Sequence, residues 1–174
     1  MDRRQLIERI KQVAYIQGQF ILRSGRKSNY YLDKYLFETC PDILQAIAEE
    51  FARFVNDQIT LIAGAELGGV ALAAATSLLT HKPFVIVRNS RKGYGTTKLI
   101  EGRISPTDVV LLVEDIVTTG GQVLEAAEVL HQTGAKVARV VAVIDRMEGA
   151  RETITNKGLA FDSILTRVDL GINS

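Results

Sequence analysis

The spacing of apolar residues along this 174-residue chain changes repeatedly between a period typical of helices and the pattern of buried strands. Residues 2–17 carry an apolar residue every three to four positions and are predicted to form an amphipathic helix. Residues 43–55 show the same period, and Pro41 suits the first turn of that second helix. Short runs rich in valine, isoleucine and leucine are predicted to be strands, at 60–65, 83–88, 109–113, 137–145 and 161–170.

Helical patterns separate most of these strands. An alanine-rich helix is predicted at 68–79, another from about Gln122 to Thr133 with a capping Gly134, and a short one at 149–157. Residues 20–36 look instead like a hairpin or loop with a basic centre. Apolar strands that alternate with helices indicate an α/β fold, with a parallel sheet covered by helices on both faces. The order of the strands does not follow from the sequence.

The loops that follow the predicted strands are the expected ligand site. In a parallel sheet, ligands bind at the carboxyl ends of the strands, where these loops meet. The segments 64–69, 88–103, 114–122 and 145–149 are therefore expected to surround one site.

Composition narrows the class of protein. The length fits one domain, 1–174, and 47% apolar with 24% charged residues is ordinary for a globular protein. A formal net charge of +1 gives no indication of nucleic-acid binding or of a basic membrane patch. Cys40 is the only cysteine, which favours a reducing, cytoplasmic location, and His81 and His131 have no cysteines at zinc-ligand spacing. The N-terminus is not expected to be a signal peptide, and no apolar run is long enough to span a bilayer.

The most informative stretch is "VVLLVEDIVTTGGQ", Val109 to Gln122. After the apolar strand come two carboxylates, two hydroxyls and two glycines at the start of a predicted helix, whose N-terminus favours an anion. Hydroxyls and glycine N–H groups suit a phosphate monoester, whereas Glu114 and Asp115 would repel phosphate but accept hydrogen bonds from sugar hydroxyls. The combination predicts a ribose 5-phosphate site. In the alternative, Thr118 or Thr119 caps the helix and the acids are solvated.

A second segment concentrates positive charge. "RNSRKGYGTTKLIEGR", residues 88–103, has five basic residues and one acid, Glu101. A mobile basic loop could bind further phosphate and close the site against water, while the alternative is a solvated hairpin. Walker and Rossmann phosphate-binding patterns are both absent from the chain.

These residues resemble a known family. "VVLLVEDIVTTGG" looks like the signature of the type I phosphoribosyltransferases, which bind 5-phosphoribosyl 1-diphosphate (PRPP). "FILRSGRKSNYYLD", "RKGYGTTKLIEG" and "VIDRMEG" resemble, more narrowly, the members that use orotate. The resemblance implies a type I phosphoribosyltransferase fold with a small N-terminal hood over residues 1–36. It also implies transfer of the phosphoribosyl group to orotate, with Mg²⁺ as cofactor, in a homodimer that shares the basic loop across subunits.

The resemblance also implies roles for individual residues. Lys92, Glu114 and Asp115 would be catalytic, Lys92 at the leaving group and the acids at the ribose hydroxyls. Mg²⁺ would be held through PRPP, with the same two acids as candidate ligands. The PRPP-binding residues would be Arg23, Leu67, Gly68, Arg88, Lys92, Tyr94, Glu114, Asp115, Ile116, Val117, Thr118, Thr119, Gly120, Gly121 and Gln122. The orotate-binding residues would be Tyr31, Leu32, Thr118 and Arg146, with Tyr30 beside them.

The chain departs from the family pattern at Asn89, where a lysine is usual, and at Gly68, where some members carry a lysine. Two other functions therefore stay open at this stage. One is phosphoribosyl transfer to a different base, and the other is a regulatory protein that keeps the fold to sense a nucleotide. Arg146 favours an acidic base such as orotate.

Overall fold

The computed structural model describes residues 1–21, 27–89 and 99–172. Helices and strands alternate through most of these ranges, as the apolar pattern predicts. In chain order they are α1 (Arg3–Ala14), β1 (Tyr15–Ile21), β2 (Lys27–Leu32), α2 (Lys34–Glu38), α3 (Pro41–Ala52), β3 (Leu61–Ala65), α4 (Gly68–Thr80), β4 (Phe84–Val87), β5 (Ile100–Glu101), β6 (Val109–Val117), α5 (Gly121–His131), β7 (Lys136–Asp145), α6 (Ala150–Thr155) and β8 (Ala160–Thr166).

The central sheet has six strands in the order β5-β4-β3-β6-β7-β8. All neighbouring strands run parallel except β5, which pairs antiparallel with β4. β6 lies in the middle of the sheet and connects directly to α5. The predicted α/β fold with a parallel sheet is confirmed, and the antiparallel β5 is a strand that the apolar pattern did not predict.

Two apolar cores cover the two faces of this sheet. Alternate side chains of β6 point to opposite faces, so Leu111 and Val113 belong to one core and Val110 and Leu112 to the other. The first core includes residues of α1, α3 and α4, and the second includes residues of α5 and α6. This division explains why the central strands read as nearly continuous apolar runs.

The N-terminal region differs from its prediction. The helix expected over 2–17 ends at Ala14, because Tyr15–Ile21 leaves the helical path and pairs antiparallel with Lys27–Leu32 as a separate hairpin. The hairpin therefore begins five residues before the predicted start of the 20–36 segment. That segment also contains the start of a short helix, α2, which the apolar pattern did not reveal.

Candidate active site

The carboxyl ends of four adjacent strands lie at one edge of the sheet, and β6 and β7 extend past β3 and β4, since Gly64 is in register with Val113. Ala65 of β3 is in register with Val87 of β4, and Val117 of β6 is in register with Asp145 of β7. The loops after these strands consequently surround one region, as predicted. The described part of segment 88–103 includes β5, which returns antiparallel beside β4.

The two acids of the β6 motif are buried, and their surroundings are not those of solvated side chains. Glu114 is 4% exposed and Asp115 is 1% exposed. Burial raises the pKa of Glu114 well above its ordinary value, and the charge of Asp115 adds to that shift. Among the described residues, Glu114 Oε2 has no hydrogen-bond partner. The alternative in which these acids are solvated is therefore wrong.

Helix α2 brings two ionisable side chains to Asp115. Lys34 Nζ donates to Asp115 Oδ2 at 2.7 Å, and the attraction of Asp115 and Glu114 outweighs burial and raises the pKa of Lys34. Glu38 is 3% exposed, and burial together with the neighbouring Asp115 raises its pKa to about 8. Neither Lys34 nor Glu38 was predicted from the sequence as a site residue. Their four-residue spacing is a weak signal, since it identifies a shared face only once the helix is known.

Gly68 provides the space in which Asp115 lies. A side-chain carbon at Gly68 would lie 1.6 Å from Asp115 Oδ2 and 2.7 Å from its Cγ. Any larger residue at this position would force the carboxylate to move. Gly68 therefore leaves room for Asp115 in its observed position.

The loop after β6 has the form of an anion site. Gly120 occupies the N-cap position of α5 with φ +86°, and no side chain caps the helix. The alternative in which Thr118 or Thr119 caps the helix is therefore wrong. Uncapped N–H groups at a helix N-terminus, with the helix dipole, favour a phosphate. Ile116, Val117, Gly121 and Gln122 complete the predicted segment between the acids and the first turn of α5.

The loop after β3 is tied to the end of β4. The backbone N–H of Asn89 donates to Glu66 Oε1 at 2.8 Å, and its side-chain amide donates to the Glu66 carbonyl at 2.9 Å. Arg88 lies beside the same glutamate, with 3.8 Å between Nη1 and Oε2. The peptide bond between Glu66 and Leu67 is cis, and the Leu67 side chain is 66% exposed. Leu67 and Arg88 thus lie on the loops where PRPP contacts were predicted.

Arg146 follows β7 and faces the hairpin. Its Nη2 donates to the Tyr30 hydroxyl at 3.2 Å, and its Nε lies 3.2 Å from Glu148 Oε1. Tyr31 lies on the other face of β2, where its ring packs 5.6 Å from Phe20. Tyr30, and not Tyr31, therefore contacts Arg146.

The remaining predicted residues divide into two groups. Leu32 lies on the same face of β2 as Tyr30 and packs against the first core. Arg23, Lys92 and Tyr94 lie outside the described residues, as do Arg91 and Lys98 of the basic segment. Their predicted roles stay predictions.

Two further observations concern membranes and metals. No helix within 1–21, 27–89 and 99–172 combines the length and hydrophobicity of a membrane span. The same ranges contain no group of three or more histidine, cysteine, aspartate or glutamate side chains arranged to hold a metal ion.

Comparison with known proteins gives one consistent result. Residues 37–165 match the phosphoribosyl transferase domain family. The orotate phosphoribosyltransferase of Methanocaldococcus jannaschii is 41% identical over 172 residues, which cover 98% of each chain.

Solved structures agree with that result. The orotate phosphoribosyltransferase of Mycobacterium tuberculosis H37Rv in complex with Fe(III) dicitrate is 31% identical, with a TM-score of 0.87 over 99% of this chain and 100% of that one. The same enzyme in complex with PRPP is 30% identical, with a TM-score of 0.83 and the same coverage of both chains.

The fold, the uncapped helix N-terminus that follows two buried acids and these sequence relationships lead to one assignment. The chain belongs to the phosphoribosyl transferase family and, within it, to the orotate phosphoribosyltransferases.

Proposed function

We propose that this protein transfers the 5-phosphoribosyl group of PRPP to orotate, forming orotidine 5'-monophosphate and diphosphate in pyrimidine biosynthesis. The observation that carries the proposal is the end of β6, where two buried carboxylates precede an uncapped helix N-terminus. The hydroxyls of a sugar phosphate can donate hydrogen bonds to the carboxylates, and its phosphate can bind at the helix N-terminus.

The sugar is held at the acid end of this motif. As the bond from ribose C1 to diphosphate breaks, diphosphate leaves with the electron pair and positive charge develops on the ribose ring. A nearby buried carboxylate stabilises that charge strongly, because little water screens it. Asp115 and Glu114 are therefore assigned to the ribose hydroxyls, and Asp115 is assigned to this electrostatic role.

Orotate is placed between Arg146 and the hairpin. A guanidinium binds a carboxylate with two parallel hydrogen bonds, and the nucleobase orotate carries a carboxylate. Tyr30 contacts Arg146 and can pack against the flat ring, so we prefer Tyr30 to Tyr31 as the aromatic contact. Leu32 and Thr118 complete the proposed orotate site. The orotate ring nitrogen forms the new bond to C1 as an anion, which requires no strong protein base.

The diphosphate side combines backbone groups and cations. Leu67 and Gly68 would offer backbone N–H groups, while Arg88, Arg23, Lys92 and Tyr94 would bind the diphosphate or other parts of PRPP. Lys92 is the residue we assign to leaving-group stabilisation.

The acids at the end of β6 also fit Mg²⁺. Carboxylate oxygens are hard ligands, and Oε2 of Glu114 is buried without a hydrogen-bond partner among the described residues. Mg²⁺ binds in many sites through one or two carboxylates together with substrate phosphates. Glu114 and Asp115 would hold it with PRPP, and the ion would offset negative charge on the leaving diphosphate.

The reaction and the choice of base have a direct test. Protein, Mg²⁺ and PRPP are incubated with orotate or with other purine and pyrimidine bases, and diphosphate release is followed. Orotate-dependent release supports the proposal, whereas release with a different base alone would reassign the substrate. No release with any base would favour a nucleotide sensor.

Substitution of Arg146 tests whether this residue recognises the base. Arg146→Ala should raise the KM for orotate by about 10²-fold, because a charged bidentate contact is lost, and should change the KM for PRPP much less. Equal effects on both KM values would contradict the orotate role of Arg146.

A homodimer that shares the basic loop is the proposed assembly, and the cytoplasm is the proposed location because Cys40 is an unpaired thiol. Lys92→Ala and Asp115→Asn variants, each impaired alone, should recover part of the activity when they are mixed. Recovery requires that Lys92 of one subunit serve the site of the other. A mixture no more active than its components would argue against shared sites.

A further inference from the structure

The hydrogen bond between Lys34 and Asp115 competes with the proposed sugar. The two side chains form an ion pair at 2.7 Å, and Asp115 is 1% exposed while Lys34 is 30% exposed. A ribose hydroxyl donates a hydrogen bond just as the ammonium does. The sugar can therefore use Asp115 Oδ2 only if Lys34 gives that oxygen up.

A second hydrogen-bond acceptor, on Glu38, lies near Asp115. Glu38 is buried, and its Oε1 has no hydrogen-bond partner among the described residues. A side-chain carbon added at Gly68 would lie 2.9 Å from Glu38 Oε1 and 1.6 Å from Asp115 Oδ2. The two carboxyl oxygens are therefore neighbours. Lys34 and Glu38 are four residues apart on α2, a spacing that places both on one helix face.

The backbone that carries these two side chains is anchored. Phe37 of α2 is fully buried in the first core, and Asp33 caps the helix by accepting the N–H of Tyr35 at 3.1 Å. Any exchange must therefore occur in the lysine side chain, whose four-carbon stem is flexible.

We propose that Lys34 is a positioning residue that exchanges between two carboxyl groups, binding Asp115 in the free protein and Glu38 once the ribose hydroxyls of PRPP occupy Asp115. The proposal rests on the function proposed above. Lys34 keeps Asp115 in place while the site is empty, and Glu38 Oε1 then accepts a hydrogen bond from the released ammonium.

Two opposing effects decide the expected result of removing Lys34. Its charge attracts the anionic ligand, but Lys34 is partly exposed and solvent and salt weaken this attraction. The hydrogen bond from Lys34 to the buried carboxylate of Asp115 is the stronger effect, and PRPP can bind only if this bond breaks. Removal of the ammonium is therefore expected to strengthen PRPP binding.

The first experiment measures the Kd for PRPP with Mg²⁺ by calorimetry and the Tm with and without saturating PRPP. Lys34→Met should lower the Kd about tenfold. The variant should lower the Tm of the free protein more than it lowers the Tm of the complex. Lys136→Met changes an exposed lysine at the start of β7 and should alter neither Kd nor the ligand-induced Tm shift.

The second experiment tests the acceptor. Glu38→Met keeps a similar side-chain size but removes the acceptor oxygen, and it should raise the Kd for PRPP roughly three- to tenfold, because the released ammonium loses its hydrogen-bond acceptor. In the Lys34→Met background the same substitution should leave the Kd unchanged. Such non-additivity is the signature of two residues that act through each other.

Opposite results overturn the exchange. Weaker PRPP binding by Lys34→Met would mean that Lys34 contacts the ligand, and equal Tm losses in free and bound protein would mean that its role is only structural. Additive effects of the two substitutions would remove Glu38 from the exchange. If Lys34→Met does not fold, Lys34→Gln keeps a neutral donor and should lower the Kd to a smaller extent. Wild-type PRPP binding and orotate turnover, measured first, test the proposed function separately.

Discussion

At the scale of single residues, Gly68 determines whether Asp115 can occupy its buried position. A side-chain carbon at Gly68 would lie 1.6 Å from Asp115 Oδ2, far inside van der Waals contact. Gly68→Ala should therefore reduce kcat/KM by about 10²-fold, comparable to the loss of one preorganised electrostatic group. Steady-state kinetics together with thermal unfolding measure the effect. A folded Gly68→Ala variant with wild-type kcat/KM would show that Asp115 does not need its observed position.

Asn89 is the second residue whose identity has a local consequence. Its backbone and side-chain amides both bond to Glu66, which connects the end of β4 to the loop after β3. We interpret Asn89 as a residue that positions this loop, and not only as a missing cation. Asn89→Lys should then raise the KM for PRPP roughly threefold or more, because a hydrogen bond to the Glu66 carbonyl is lost.

Asn89→Ala is the matched control for that substitution. It removes the same hydrogen bond without adding charge, and should raise the KM for PRPP by a similar factor. A KM for PRPP below the wild-type value in Asn89→Lys would instead show that a lysine is simply the better residue at this position.

At the scale of elements, the uncapped start of α5 carries the proposed phosphate site. Gly120 has φ +86°, and a side-chain carbon there would lie 3.1 Å from Ile154 Cγ1. Gly120→Ala should destabilise the protein by about 1–2 kcal/mol, because the left-handed conformation is strained for alanine, and should weaken binding of ribose 5-phosphate.

Gly121→Ala provides the comparison within the same loop. A side-chain carbon at Gly121 meets nothing within 4 Å and its φ is not positive, so thermal stability should be preserved. Equal stability losses in the two variants would contradict the assignment of strain to Gly120. Denaturant unfolding and calorimetric titration with ribose 5-phosphate supply both measurements.

At the scale of the whole molecule, the buried acids should make stability depend on pH. The pKa of Glu38 is raised to about 8 from an ordinary value of 4.5, so Glu38 stays protonated in the folded protein while it ionises in the unfolded chain. The free energy of unfolding should consequently fall as pH rises from about 5 to 8, by at most about 1.4 kcal/mol per pH unit for one group. The raised pKa of Glu114 acts in the same direction.

Glu38→Gln isolates the contribution of Glu38. The variant should lose less stability than the wild type between pH 5.5 and pH 8, as measured by Tm in matched ionic strength. Glu125→Gln, on the exposed face of α5, should follow the wild-type profile. Parallel profiles for the wild type and Glu38→Gln would mean that Glu38 is ionised in the folded protein.

Local patterns account for the parts of the fold that were predicted correctly. β6, β7, α4 and α5 begin and end within a few residues of their predicted positions, because a long apolar run or a regular helical period depends on neighbouring residues. The helix predicted over 2–17 was too long, because pairing with β2 gives Tyr15–Ile21 a partner that the helical pattern could not reveal. The five-residue α2 was missed because one turn of helix has no measurable period.

The sequence by itself determined the α/β class, the loops that surround the site and the order of acids, hydroxyls and glycines at the end of β6. These features follow from residues that are close together in the chain. Only the tertiary structure decided that Lys34 lies on Asp115, 81 residues away, and that Tyr30 and not Tyr31 meets Arg146, 116 residues away. Burial, and the pairing of charges that burial requires, depend on which distant segments pack together, and the apolar pattern contains no record of that choice.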